Sequence, residues 1–305
     1  MDLCKSACAV AAINLRSWLK DTRIKFLFLC IGCYVIGCLW PLVSYGLQED
    51  CTMTPWLLPV LFKSDLISVN LTKTILHIGM VLMLCNAPFL FPTTPYIVLR
   101  SRRKAWWMGE CIYIIGAALI YVLFIAIVSF LTAVPVISFA PDWGDAIRNP
   151  IIGDMERFPE EIRQTYELYN IPGIFVHYLE PFKTQIYCFL ASWASFSVLG
   201  LLMYLVSLIQ KKSTIGIVMA GFLIFADPVI YSINGMRPEK SWIDLLSPVC
   251  WTDAGLLKDV SRKNFMSLPL AAALYIILIV LLITGIALIS KNISIEIAGD
   301  QVRGE

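Results

Sequence analysis

Charge is what this chain has least of. Asp, Glu, Lys and Arg make up 15% of its 305 residues, and there are only two histidines, His77 and His177. A water-soluble domain carries about 25% charged residues. The net charge of +2 is too small to hold a nucleic acid. Several motifs are missing as well. No G-x-x-x-x-G-K-[ST] loop is present, so the chain does not itself cradle ATP phosphates. No G-x-G-x-x-G follows a strand pattern, and no G-x-S-x-G elbow exists. Without an H-E-x-x-H pair, zinc proteolysis within the membrane has no ligands. No apolar run sets a serine against a histidine, so catalysis by this chain alone has little to rest on. Glu160 and Glu161 stand side by side in a polar loop without histidine partners, which reads as a solvated acidic loop.

The ten cysteines do not form a disulfide framework. Cys30, Cys33, Cys38, Cys85, Cys111 and Cys188 fall in apolar runs, where a thiol behaves as a small hydrophobe. Cys4 and Cys8 lie in the N-terminal segment. Only Cys51 and Cys250 fall in polar loops on the outer side, and a bridge between them is the one pairing left open; spacing does not establish it. A cleaved signal peptide is not expected, because the first apolar run starts at Phe26, is too long, and is not followed by an A-x-A-like site.

What is abundant is apolar: 58% of residues are hydrophobic and mean hydropathy is +0.75. About 20 consecutive apolar residues cross the roughly 30 Å hydrocarbon core, and six stretches qualify: 26–47, 74–94, 110–135, 184–209, 213–235 and 267–290. Backbone groups in lipid must pair within their own segment, so each run is expected to be a helix. The chain therefore reads as one all-α membrane domain over 1–305. The dense basic segments alternate onto one side: Lys5 to Lys25 before the first run, Arg100, Arg102, Arg103 and Lys104 after the second, Lys211 and Lys212 after the fourth, and Lys291 after the sixth. By the positive-inside rule that side is cytoplasmic, and both termini with it.

Residues 7–25 read as a basic amphipathic helix lying in the interface plane. On the outer side, 142–183 is long and acidic, with a short helix expected at Asp154–Tyr169. The segment 237–263 reads as two short amphipathic helices, Pro238–Leu246 and Val249–Asp259, broken at Ser247-Pro248 and rich in Trp and Leu. It is expected to dip into the membrane boundary as a re-entrant hairpin. Among polar residues at depth, Asp227 precedes Pro228 in the fifth run. It either lines a water-filled path or caps or pairs structurally near the outer surface. His77 is expected near the outer headgroups. Asn86 is expected mid-run, bonding backbone freed by Pro88. Glu110 is read as a flank of the third run.

Together these residues resemble the permease subunits of ATP-binding cassette exporters of the ABC type 2 family. The resemblance rests on the basic lead-in, the segment Pro95–Trp107 after the second run, six runs with both ends inside, and the broken hairpin with Ser247-Pro248-Val249-Cys250-Trp251. It implies two permeases, identical or different, paired with two separate ATPase subunits that bind ATP and Mg, and no cofactor in this chain. By resemblance Arg100, Arg102, Arg103, Lys104 and Trp106 belong to a coupling helix that docks on the ATPase. Residues 7–25 become the interface helix and 237–263 the outer helices that close the exit. Asp227, Asn86 and His77 are the candidates for a translocation path. The implied location is the plasma membrane, and the preferred cargo is a peptide or amphiphile, because no glycan-recognition domain is appended. The long acidic loop departs from the smallest members of the family. A secondary transporter is the first rival, but it is expected to bury several charges and only Asp227 is on offer. An intramembrane enzyme and a non-transporting sensor are the others.

Overall fold

A computed structural model describes residues 3–63, 71–87, 102–152, 177, 179–210, 212–236, 238–258 and 267–290. Every regular element among them is helical: α1 (Leu3–Ser17), α2 (Thr22–Gln48), α3 (Leu58–Leu61), α4 (Leu71–Met83), α5 (Arg103–Ala133), α6 (Asp145–Ile152), α7 (Pro181–Gln210), α8 (Ser213–Met236), α9 (Ala254–Lys258) and α10 (Leu268–Ser290), with 3₁₀ turns at Val134–Val136, Pro238–Leu246 and Cys250–Thr252. Five stretches are long and apolar enough to cross a membrane: Thr22–Gln48, Arg103–Val136, Pro181–Gln210, Ser213–Ile233 and Leu268–Ser290. Their outward faces are greasy, with Phe222, Phe225, Ile276 and Leu281 each exposed. Water would not tolerate so much continuous apolar surface, and lipid does. The chain is thus a multi-pass membrane protein.

The second expected span differs. Its described part, α4, has 13 residues, about 20 Å at 1.5 Å per residue, short of the hydrocarbon thickness. Residues 88–94 of that span lie outside the described residues. Tyr34, midway along α2, bonds Thr72 at the start of α4 at 3.3 Å. At the other end Arg23 donates to Asn86 Oδ1 at 3.3 Å. So α4 runs beside only the first half of α2. Beyond the other half of α2 the chain folds inward: Met53–Pro55 and Leu57–Lys63 are buried. Met53 N donates to Val136 O at 2.9 Å and Ser138 N to Met53 O at 2.9 Å, pinning this segment to the end of α5. Gly144 completes the clasp with φ +77, and a β-carbon there would stand 2.5 Å from Thr52 O. Glycine is the residue that tolerates both that φ and that approach.

The N-terminal helix is also divided. In place of one helix over 7–25, α1 stops at Ser17 and α2 begins at Thr22. Asp21 causes the break, for its side chain accepts from Arg23 N at 2.9 Å as an N-cap. The bend folds α1 onto the start of α5. There Gly109 lets the helices touch, Trp18 Nε1 donates to Tyr113 at 2.9 Å, and Asn14 Nδ2 donates to Glu110 at 2.7 Å. The α2, α5 and α8 helices run one way and α4, α7 and α10 the other. The starts of α2 and α5 and the ends of α7 and α10 therefore share one end of the bundle, here the basic end. The expected helix Asp154–Tyr169 lies outside the described residues; the loop's beginning forms α6, with Trp143 Nε1 donating to Leu179 O at 2.8 Å.

Candidate functional site

The polar residues converge at one buried place between α4, α7, α8 and the turn that follows α8. Lys73 Nζ lies 2.9 Å from Asp227 Oδ2, and both side chains are wholly buried. The sequence reading missed Lys73 because it sits at the edge of an apolar run and looks like a flank. Its burial follows from α4 starting beside the middle of α2 instead of at a surface. Ser247 donates to Asp227 Oδ1 at 3.0 Å and accepts from Cys250 N at 3.1 Å. Both carboxylate oxygens of Asp227 are thus paired within the fold. Pro228 follows it within α8, where it removes a backbone donor and loosens the turn before it.

One turn along α4 from Lys73 is His77, also fully buried, not at the headgroups. Its Nδ1 lies 2.7 Å from Lys73 O and its Nε2 3.1 Å from Ser195 Oγ. A carbonyl only accepts, so in the neutral ring the proton is on Nδ1 and Nε2 accepts from the serine hydroxyl. A Ser–His pair at depth therefore exists, contrary to the sequence reading, which could not see that residues of two distant helices meet. The distance suits a nucleophile and its base. Ser195 is mid-helix in α7, however, where main-chain N–H groups are consumed by the helix and offer no backbone oxyanion hole. Phe62 of the inward segment and Phe196 close over His77, with ring centroids 6.1 and 4.8 Å away. The pair reads as a satisfied core histidine.

Residues 247–257 are buried and tied to α7 and α10. Tyr187 donates to Trp251 O at 2.8 Å, Tyr275 to Pro248 O at 2.5 Å, and Trp251 Nε1 to Asp244 O at 2.7 Å. The expected break at Ser247-Pro248 is present, although the first arm is a 3₁₀ helix. Asp253 caps α9 through Gly255 N and Leu256 N at 2.8 and 3.1 Å. Trp242 and Leu246 stay exposed.

The proposed bridge is not formed: Cys51 and Cys250 are both free thiols. Cys51 faces Asn149 beyond the end of α2, while Cys250 is buried among Asp227, Lys73, Asp244 and Asp253. Burial pushes the Cys250 thiol well up, with the Asp227 charge adding to it. A raised thiol holds less thiolate, the reactive form. Maleimide at neutral pH is expected to label Cys4 and Cys8 on α1 and leave Cys250 unlabelled until the protein is denatured, as read by peptide mass spectrometry.

Asn86 is exposed beside Arg23, at the basic end instead of mid-membrane, and does not join the buried centre. The residues expected to couple to an ATPase divide. Arg100 lies outside the described residues. Arg102, Arg103 and Lys104 are exposed at the first turn of α5, with Arg102 at φ 67 as its N-cap. Trp106 is buried and donates to the Glu110 carboxylate one turn on in the same helix, so it presents no face outward. Glu110 itself, read as a flank, is 2% exposed. A lone carboxylate so close to an uncharged run was the available signal. No metal-holding group occurs among the described residues. Compared with protein-family models, with curated proteins and with solved structures, the chain matches none.

Proposed function

We propose that this chain is the membrane-spanning permease subunit of an ATP-binding cassette exporter of the ABC type 2 kind. It pairs with a second permease and with two separate ATPases that hold the ATP and Mg. Hydrolysis belongs to those partners and not to this chain. The observation that carries the reading is the basic end: Arg102, Arg103 and Lys104 stand exposed on the first turn of α5 while α1 braces the next turn at Gly109 and Glu110. A rigid helix start with a basic face suits a motor that pushes on a membrane helix from the cytoplasm. The buried turn at 247–257 suits an outer closure that dips into the membrane boundary. A peptide or amphiphile remains the preferred cargo, and the plasma membrane, with both termini inside, the preferred location.

Replacing Arg100, Arg102, Arg103 and Lys104 together by Ala is expected to abolish co-purification of an ATPase subunit while leaving membrane insertion intact. Retention of the ATPase at native stoichiometry in that variant would falsify the coupling assignment.

One observation favours a second reading, ATP-independent secondary transport. The centre buries Lys73 with Asp227 beside His77, more ionisable groups than the sequence offered, and such groups mark ion and proton paths in transporters. Uptake into vesicles of the purified chain, driven by an ion gradient without nucleotide, would select it.

A further inference from the structure

We propose that the Lys73–Asp227 ion pair, joined through Ser247, is a latch that holds the 238–258 hairpin shut over the bundle, so that opening the hairpin and breaking the pair are one event. The proposal does not depend on what powers transport.

The hairpin is held by two kinds of bond. Tyr187 and Tyr275 reach its carbonyls at Trp251 and Pro248; these bonds are neutral and stand on α7 and α10. The third tie is different. Ser247 Oγ accepts a hydrogen bond from the Cys250 amide and donates one to Asp227 Oδ1, and Asp227 Oδ2 holds Lys73. One hydroxyl thus connects the hairpin backbone to a charged pair spanning α8 and α4. A bond to an ionised acceptor is the stronger sort. Its strength depends on both charges staying together, since a buried charge that loses its partner must find water. The nearest cover that can be lifted is the hairpin. Pro228, next to Asp227, supplies a weak point in α8 at which the motion can start. Cargo or a partner that separates α4 from α8 at this level would release the hairpin, and a hairpin pulled open would unseat the pair.

Cys250 is a native reporter, because it is fully buried inside the hairpin beside the pair. The test uses the full chain in nanodiscs, a water-soluble maleimide, and peptide mass spectrometry of Cys250 labelling over time. Ser247→Ala removes the link and leaves both charges. Lys73→Met removes one charge of the pair. Labelling about tenfold faster than in the native chain is expected for both variants, and Ser247→Ala, which keeps both charges beside the thiol, reads access alone. If Lys73→Met does not fold, Ser247→Ala decides. Native labelling rates in the folded variants would overturn the latch.

Discussion

Lys73→Met and Asp227→Leu, each made alone, are expected to lose about 3–5 kcal/mol of stability, and the two together to regain most of it. The reason is the environment. Both side chains are wholly buried, so solvent does not screen the charge left behind, as it would in a surface pair. Each single replacement leaves one ion without its counter-charge beside the buried hairpin. The double replacement removes both desolvation costs and puts apolar volume in their place. Denaturant titration in detergent of the native, single and double variants completes the thermodynamic cycle. Strictly additive losses would show that the two residues do not act as a unit. The same cycle bears on function: a double variant that is stable yet transports nothing would mark the pair as part of the moving machinery.

Gly109→Val is expected to lift α1 off the bundle. A β-carbon at 109 would stand 2.6 Å from Val10 Cβ and 2.8 Å from Ala7 O. A side-chain tip can rotate away, but a backbone carbonyl in a helix cannot, so the helices must separate. Overpacking of this kind costs about 1–3 kcal/mol, and separation would also strain the Asn14–Glu110 bond and uncover Trp106. Limited trypsin digestion reads the result, because Arg16 lies on α1 and cleavage follows the open population. Cleavage there should rise about tenfold. Unchanged cleavage would mean that α1 is held by something other than this close contact. Under the exporter reading the same variant should weaken ATPase docking with all basic residues intact, since α1 braces the helix start next to the turn that carries them.

Five of the expected spans were legible because hydropathy over 20 residues is a local property, and local properties survive into the fold. The second expected span was legible only in part: its described portion, α4, is an apolar helix of 13 residues preceded by chain that folds inward, and 88–94 lie outside the described residues. Apolar sequence reports a dislike of water and does not say whether lipid or protein replaces it. The same limit misplaced His77 and Asn86: their depth was read from position in a run whose helix begins elsewhere. Lys73 and Glu110 looked like flanks because burial at a run's edge is decided by neighbours far along the chain. The break at Ser247-Pro248 was readable, since proline punctuation is local. That Ser247 reaches Asp227 was not.

By itself, then, the sequence determined that the chain is helical and lives in lipid, that the segment after the fifth run breaks at Ser247-Pro248, and which loops are basic. These follow from composition and periodicity, which act over a few turns of chain. Tertiary structure alone decided which buried charges meet, which thiols stay apart, and that α1 folds back on α5. Those outcomes depend on pairing between segments remote in sequence, and a buried charge has only such a partner to replace the water it gave up.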